Sequence, residues 1–210
     1  LPICSEVKLE DSPADLDKII FTDLLAEAAD VVDREYVEQP DLELIKKKIE
    51  LELEEYNATK KDTMAISIFD FAVLQILKIC RILKLDKSHG LLLGLGGSGR
   101  QTLTKLSSYM MGQQLVTLEV SKGYNQEKWR TDIKKILSDA STTNKCSTLV
   151  ITEAQSNNVY LMQDIDSMLN LGEIPNLYEH EEFVKFLDKL KEKAKREGDD
   201  RLVTAGTISE

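Results

Sequence analysis

The sequence predicts an α/β fold in which helices cover both faces of a parallel β-sheet. Short apolar runs at residues 91–93, 115–120 and 147–151 have the length of buried strands, and segments with helical spacing separate them. The first run ends in a glycine-rich loop, residues 94–99, that leads directly into a helical segment. Strands that alternate with helices along a chain form parallel sheets, because each helix carries the chain back across the sheet.

Length and charge limit the function classes. The chain has 210 residues, enough for one domain with an appended subdomain. Its 27 Lys and Arg residues are outnumbered by 37 Asp and Glu residues, which gives a net charge of −10. Because phosphate backbones are bound by clustered basic side chains, we expect neither a nucleic acid nor an anionic membrane as partner.

The cysteines and the apolar segments exclude further classes of protein. Cys4, Cys80 and Cys146 are far apart and form no C-x-x-C pair, so we expect a reducing compartment, no disulfide framework and no thiolate metal site. Residues 65–85 are the most apolar stretch, but charged side chains interrupt them, and we expect no membrane-spanning helix. The chain begins with Leu1 and shows no signal peptide, and we expect a piece of a longer protein.

An arm and two helices precede the first predicted strand. Residues 1–40 are acidic and irregular, and we expect them to form an arm with one apolar patch that packs on a core. Residues 41–56 place apolar side chains at helical spacing, and Asp41 is positioned to cap the N-terminus of this helix. Residues 66–85 are predicted to form a second, longer amphipathic helix, whose apolar stripe is Phe69, Val73, Ile76, Leu77, Cys80 and Leu83.

Helices are also predicted from the glycine loop onward. The first follows the loop as far as Met110, and the others span residues 125–140, 160–171 and 181–196. The last of these interleaves Glu and Lys at spacings of three and four, which is typical of a solvent-exposed helix face. We therefore expect no function for its charges.

The glycine loop matches two phosphate-binding patterns. Glycines at the start of a helix let backbone N–H groups and the helix dipole hold phosphate. In the P-loop pattern G-x-x-x-x-G-K-[ST], residues 94–99 have the correct spacing, but Arg100 replaces the lysine and Gln101 the hydroxyl residue. In the dinucleotide pattern G-x-G-x-x-G the same residues match fully, and Glu119 lies 20 residues past Gly99, where a ribose-binding acid is expected. On these patterns alone the dinucleotide interpretation fits better.

The third predicted strand favours the P-loop interpretation. Residues 148–153 are an apolar run that ends in Thr152 and Glu153. In P-loop NTPases such a Walker B strand ends in a polar residue that helps to hold Mg²⁺ and an acid that orients the attacking water. Thr152 stands at the metal position and Glu153 at the catalytic position, although an acid that simply ends a strand is the alternative. Two long helices before the first strand also count against a dinucleotide fold.

Motifs along nearly the whole chain carry a resemblance to a known family. They are Ile20-Phe21-Thr22-Asp23, Glu54-Glu55-Tyr56-Asn57, Cys80-Arg81-Ile82-Leu83, the loop at residues 94–103, Ser121-Lys122-Gly123-Tyr124, Ile151-Thr152-Glu153-Ala154-Gln155 and Gly172-Glu173-Ile174-Pro175-Asn176-Leu177. The last two are the most discriminating. Together they resemble the motor region of an axonemal dynein heavy chain, and within it the fourth AAA+ module of the ring.

The resemblance implies a fold and a division of the chain. The expected fold is the P-loop NTPase (AAA+) three-layer core with a parallel sheet, preceded by a helical N-terminal arm and lacking the C-terminal part of the module. The expected segments are an N-terminal arm and amphipathic helix (residues 1–63), a partial P-loop core (64–178) and a charged helix and tail (179–210). In this family a ring of six modules converts ATP hydrolysis into movement on microtubules, and the fourth module is a regulatory nucleotide site.

The same resemblance implies roles for the motif residues. The phosphate cradle would consist of Gly94, Leu95, Gly96, Gly97, Ser98, Gly99, Arg100, Gln101 and Thr102. Ile20 and Phe21 would lie against the adenine, Glu153 would be the catalytic residue, and Thr152 would be a weak metal ligand. The implied cofactors are ATP or ADP, together with Mg²⁺, whose usual ligands are altered.

Three positions depart from the family pattern. The guanidinium of Arg100 is bulkier and less point-like than an ammonium. Gln101 lacks the hydroxyl that binds Mg²⁺, and Thr152 lacks the carboxylate that supports it. We therefore expect nucleotide binding with weak or no hydrolysis by this chain, although its parent would be an ATP-hydrolysing microtubule motor.

The implied partners and location follow from the family. They are the neighbouring AAA+ modules of the same heavy chain, microtubules through other parts of the parent, and dynein intermediate and light chains. The expected location is the cytoplasm, in the cytoskeleton of a ciliary or flagellar axoneme.

Two other functions stay open. A Rossmann-type NAD-binding oxidoreductase domain would use Glu119 on the ribose and would bind NAD(H) more tightly than adenine nucleotides. A structural or interaction module would carry a degenerate site without nucleotide, and Arg100, Gln101 and Thr152 are all compatible with lost chemistry.

Overall fold

A computed structural model describes residues 20–26, 31, 33–85, 88–118, 123–143, 145–156 and 158–197. The chain divides into two compact units, Leu1–Gly112 and Gln113–Glu210. Among the described helices, none is both long enough and apolar enough to cross a membrane.

In its described residues, the first unit contains a small hairpin and a group of three helices. Its elements are β1 (Phe21–Thr22), β2 (Val37–Glu38), α1 (Leu42–Thr59), α2 (Asp70–Lys84) and α3 (Arg100–Met110). The two strands are antiparallel, with Phe21 opposite Glu38. Helix α2 packs against both α1 and α3. The side chains that are completely buried at these contacts are Ile45, Ile49, Val73, Ile76 and Leu106.

Local sequence explains how α1 begins and ends. The carboxylate of Asp41 accepts hydrogen bonds from the N–H groups of Glu43 (3.0 Å) and Leu44 (3.4 Å), which confirms the predicted N-cap. The helix continues to Thr59, three residues past the predicted end at Tyr56. Beyond it, the side-chain amide of Asn57 pairs with the backbone N–H (2.7 Å) and carbonyl (3.0 Å) of Met64, so the returning loop is fixed to the last turn.

The second helix begins later than predicted. Helix α2 starts at Asp70 rather than at residue 66, because Phe69 has an extended backbone (φ −120°, ψ 163°) and caps the helix without a side-chain hydrogen bond. Phe69 was expected on the buried stripe, but its side chain is exposed. Val73, Ile76 and Cys80 are buried, as the helical spacing predicted.

The predicted strand at residues 91–93 is wrong. Leu91 and Leu93 are 84% and 83% exposed, and no strand in the described part of the chain pairs with this run. A strand exists only where a neighbour satisfies its backbone N–H and C=O groups, and an apolar run cannot show that such a neighbour is present. Here the carbonyl of Leu92 instead accepts a hydrogen bond from Arg100.

The second unit has the predicted strand and helix alternation. Its elements are β3 (Gln114–Thr117), α4 (Gln126–Thr143), β4 (Ser147–Val150), α5 (Glu153–Ser156), α6 (Val159–Leu171) and α7 (His180–Glu197). Strands β3 and β4 are parallel, with Gln114 opposite Ser147 and Thr117 opposite Val150. The parallel pair is therefore confirmed. The described sheet has these two strands rather than the three predicted, and it does not form the full three-layer core.

A separate apolar cluster holds the second unit together. Trp129 and Ile133 of α4 pack with Leu161 of α6 and with Ile174, which follows α6. Burying side chains of this size contributes on the order of 2 kcal/mol each relative to exposure. This packing fixes the loop after α6 next to α4.

Candidate functional site

At the start of α3 the glycine loop has a backbone conformation that requires glycine at two positions. Gly97 and Gly99 have positive φ angles of 81° and 77°, and Gly99 is the N-cap residue of α3. L-residues with a Cβ rarely adopt this backbone conformation, so glycine is required at both positions. The N–H of Ser98 donates to the carbonyl of Leu95 (3.2 Å) and closes a tight turn between them.

Two backbone N–H groups of the loop are available to a ligand. Within the described residues no hydrogen bond uses the N–H of Gly96 or Gly97, and nothing lies within 4 Å of a Cβ built on either glycine. The first N–H groups of α3 are also unused inside the helix, as at any helix N-terminus. These donors and the positive end of the helix dipole together favour an anion.

Arg100 brings the positive charge to the loop. Its Nη1 donates to the carbonyl of Leu92 (3.4 Å) and its Nη2 to the carbonyl of Leu95 (3.2 Å). The next two predicted cradle residues follow in the first turn of α3: Gln101 is exposed and Thr102 is half-buried. The structure thus places residues 94–102 in one continuous segment, which consists of the glycine loop and the first turn of α3.

The predicted adenine-contacting residues lie in the hairpin of the same unit. Ile20 packs partly on the helical core, and its carbonyl accepts from the N–H of Gln39 (2.7 Å). Phe21 is 48% exposed, so a flat apolar ring is available at the surface. Its role against adenine stays a prediction.

An ion pair that the sequence did not predict anchors this hairpin to α2. Lys84 Nζ lies 2.7 Å from Oδ2 of Asp23, whose side chain is 1% exposed. Lys84 also donates to the carbonyl of Arg34 and lies over the ring of Tyr36. Burial and the Asp23 carboxylate raise the pKa of Tyr36, because both disfavour the phenolate.

The end of β4 is organised by Gln155, which the sequence placed in a family motif without assigning it a role. Its Oε1 accepts from the backbone N–H of Thr152 and from the Thr152 hydroxyl (2.6 Å). Its Nε2 donates to the carbonyl of Leu118 (2.7 Å), just past β3. Gln155 is 4% exposed, so this buried amide links the ends of the two parallel strands.

Thr152 and Glu153 lie just after β4, and their metal-binding and catalytic roles stay predictions. Thr152 follows β4, and Glu153 begins α5 and is exposed. The hydroxyl proton of Thr152 is donated to Gln155, which leaves a neutral oxygen as the only side-chain donor atom that Thr152 could offer a metal.

The two altered positions each lack the Mg²⁺ ligand of the P-loop pattern. Gln101 in the first unit has a neutral amide in place of a hydroxyl, and Thr152 in the second unit has a neutral hydroxyl in place of a carboxylate. Mg²⁺ prefers oxygen ligands with at least one carboxylate. Among the described residues, no group of three or more His, Cys, Asp or Glu side chains could hold a metal ion.

A buried ion pair positions the loop after α6. Arg130 of α4 contacts Asp164 of α6 through Nε (3.2 Å) and Nη2 (3.1 Å), and Trp129 Nε1 donates to the same carboxylate (3.0 Å). Arg130 also donates from Nη1 to the carbonyl of Asn176 (3.0 Å). Asn176 has a φ of 54°, so this contact stabilises an uncommon backbone conformation in the Gly172–Leu177 motif.

The predicted residues lie in both units. Residues 94–102, Ile20 and Phe21 belong to the first unit, and Thr152 and Glu153 belong to the second. Glu119, the ribose-binding acid of the alternative interpretation, lies outside the described residues.

Comparisons with known proteins agree on one family. Residues 64–205 match the family model described as the P-loop containing dynein motor region D4. Dynein axonemal heavy chain 3 is 35% identical over 181 residues in Mus musculus, covering 86% of this chain, and 36% identical over 169 residues in Homo sapiens, covering 80%. Dynein axonemal heavy chain 12 of Mus musculus is 41% identical over 123 residues, 59% of this chain. The chain spans about 4% of the length of each of these relatives.

Proposed function

The chain belongs to the dynein heavy chain family, in its D4 motor region, and we propose that it is an ATP- or ADP-binding module of such a motor. Its role is regulatory or structural: it binds nucleotide and hydrolyses it weakly or not at all. The relatives' names, dynein axonemal heavy chains, support a place in an axonemal motor. We propose that this motor acts on microtubules in cilia. Its partners are then the neighbouring AAA+ modules of the same heavy chain and, through the parent, microtubules and the intermediate and light chains.

The observation that carries the proposal is the geometry of the glycine loop. Gly97 and Gly99 hold the backbone in a turn that leaves N–H groups open at the start of α3, and Arg100 places a cation beside them. This arrangement suits a phosphate oxyanion, because N–H dipoles and a fixed positive charge act on it together. Family membership does not favour the dinucleotide-binding alternative.

Weak hydrolysis follows from the residue types at the motif positions. Glu153 keeps the acid of the Walker B pattern, but Gln101 and Thr152 are neutral where the two patterns carry metal ligands. Phosphate release from ATP should therefore remain near background, and E153Q should change it little. Release that is well above background and is lost in E153Q would contradict this part of the proposal.

Titration calorimetry with ADP and ATP tests the binding. Wild type should bind both, and G99V should lose binding because valine cannot hold the φ of 77° that the loop requires. G172V is the matched control, since Gly172 also has a φ of 77° and likewise has nothing within 4 Å of an added Cβ. It should lose similar stability and keep nucleotide binding.

Three results would decide between the candidate functions. No binding heat with wild type at millimolar nucleotide would overturn the proposal and favour a nucleotide-free structural module. Tighter binding of NAD(H) than of ADP would favour the dinucleotide interpretation. Equal loss of binding in G99V and G172V would show that the loop is not the site.

A further inference from the structure

Arg100 turns back along the glycine loop. Its two terminal nitrogens donate to the carbonyls of Leu92 and Leu95, which lie before and inside the loop. Its stem passes Gly94 so closely that an added Cβ there would lie 3.5 Å from Cδ of Arg100. One guanidinium therefore joins two separate points of the loop from the start of α3.

Few other contacts hold this loop in place. Leu91, Leu93 and Leu95 are each more than 80% exposed, so side-chain packing contributes little. Among the described backbone hydrogen bonds, the loop is closed by the one from Ser98 to Leu95 and continued into α3 by the one from Leu103 to Gly99. The Leu95 carbonyl accepts from both Ser98 and Arg100, so the guanidinium contacts the turn that presents the open N–H groups.

We propose that Arg100 braces the glycine loop in the shape that receives a phosphate. This inference rests on the proposed nucleotide binding for its purpose, whereas the brace itself consists of contacts within the chain. A guanidinium has five N–H donors in a rigid fork, and the two carbonyls use two of them. The remaining donors can contact a phosphate oxygen without release of the loop. Arg100 is thus a positioning residue that prepares the loop for a phosphate.

Lysine cannot act in the same way. An ammonium is a point charge on a flexible stem and lacks the planar fork that fixes two acceptors relative to each other. Two properties of the Arg100 side chain can therefore be tested separately. R100K keeps the positive charge but loses the fork geometry. R100Q loses both.

Amide hydrogen exchange of the nucleotide-free 210-residue chain tests the brace. Exchange at the Ser98 amide, which donates to the Leu95 carbonyl, should be about tenfold faster in R100Q than in wild type, and also faster in R100K, because Arg100 no longer holds the Leu95 turn in place. R196Q is the control: Arg196 is also a helical arginine, its side chain is 81% exposed, and its loss should leave this exchange unchanged. Unfolding midpoints in urea confirm that all variants are folded.

Calorimetry with ADP in the presence of EDTA is the second arm. R100K should bind ADP more weakly than wild type although its charge is kept, and R100Q more weakly still. Unchanged loop exchange in R100Q overturns the brace. Wild-type exchange together with wild-type affinity in R100K also overturns it. Faster exchange in R100Q with no ADP binding by wild type would keep the brace and refute the proposed function, so the two failures are distinguishable.

Discussion

Arg130 and Asp164 form a two-pronged ion pair between α4 and α6, with nitrogen to oxygen distances of 3.2 and 3.1 Å. The carboxylate of Asp164 is 7% exposed, and Arg130 also donates to the carbonyls of Pro175 and Asn176. The pair therefore connects two helices and the loop that follows the second one. Such a pair contributes mainly by satisfying groups that are already buried, because its Coulomb attraction is offset by desolvation.

Removing the arginine should destabilise the second unit strongly. R130M leaves the Asp164 carboxylate buried with Trp129 as its remaining partner, and we expect a loss of about 3 kcal/mol in the free energy of unfolding. R130K should lose less, because it keeps the charge but not the fork. Urea unfolding measures both, and R196M is the exposed control, with an expected change within about 0.5 kcal/mol. A loss in R130M no larger than that of R196M would contradict the finding.

Replacing Gln155 should make stability depend on pH in a specific direction. In Q155E the side chain can still accept from Thr152, but it can donate to the Leu118 carbonyl only when the carboxyl group is protonated. Folding therefore raises the pKa of this new carboxyl. Its contribution is present at acidic pH and is lost as the pH rises, so Q155E should lose about 1–3 kcal/mol at neutral pH and regain part of it in acid.

Urea unfolding of Q155E and Q155L at neutral and acidic pH checks this. Q155L removes both hydrogen bonds and adds no titrating group, so its loss relative to wild type should be the same at both pH values. If the two variants show the same pH dependence, Gln155 does not donate to Leu118.

Sequence alone predicted the local elements well and the long-range ones poorly. Helix α1 was placed correctly at its start because Asp41 and the apolar spacing are local signals. The strand at residues 91–93 was not, because its existence depends on a partner that no local pattern reveals. Arg130 and Asp164, separated by 34 residues, likewise give no sequence signal of their pairing.

The candidate site likewise has features that the sequence could predict and features that it could not. Positive φ at Gly97 and Gly99 was foreseeable, because the glycine spacing is itself the signal. The contacts of Arg100 with its own loop were not, since the sequence shows only that an arginine replaces a lysine. The role of Gln155 was missed because a glutamine has no charge and does not titrate, so only its buried contacts show what it does.

Cys80 should make the first unit less stable at alkaline pH. Its side chain is buried between helices, and burial raises the pKa of the thiol to about 12 from its ordinary value near 9.0. The unfolded chain therefore releases this proton first. The thiol's contribution is complete below pH 9 and is lost as the pH rises toward 12, by up to about 1.4 kcal/mol for each pH unit.

The difference between wild type and C80A isolates this contribution. Burial also raises the pKa of Tyr124 and Tyr178, so every variant should lose some stability in alkali. Wild type should lose more than C80A between pH 8 and about pH 10.5 in urea unfolding. Parallel curves for the two proteins would show that the Cys80 thiol ionises as easily in the folded chain as in the unfolded one.

Restoring a hydroxyl at position 101 should restore dependence on Mg²⁺. Gln101 stands at the first exposed position after Arg100 in α3, where the P-loop pattern has Ser or Thr. Q101T adds a hydroxyl oxygen of the kind that binds Mg²⁺ beside a bound phosphate. We expect ATP affinity to rise severalfold with Mg²⁺ in Q101T and to stay unchanged in EDTA, whereas wild type should bind equally under both conditions.

The Q101A variant distinguishes the effect of an added hydroxyl from the effect of losing the glutamine amide. Q101A also shortens the side chain but offers the metal no oxygen, so its affinity should match that of wild type with and without Mg²⁺. If Q101A gained affinity with Mg²⁺ as Q101T does, the effect would come from space freed beside the loop. If neither variant responded, one added hydroxyl would be insufficient to bind Mg²⁺ beside the loop, and the prediction would be wrong.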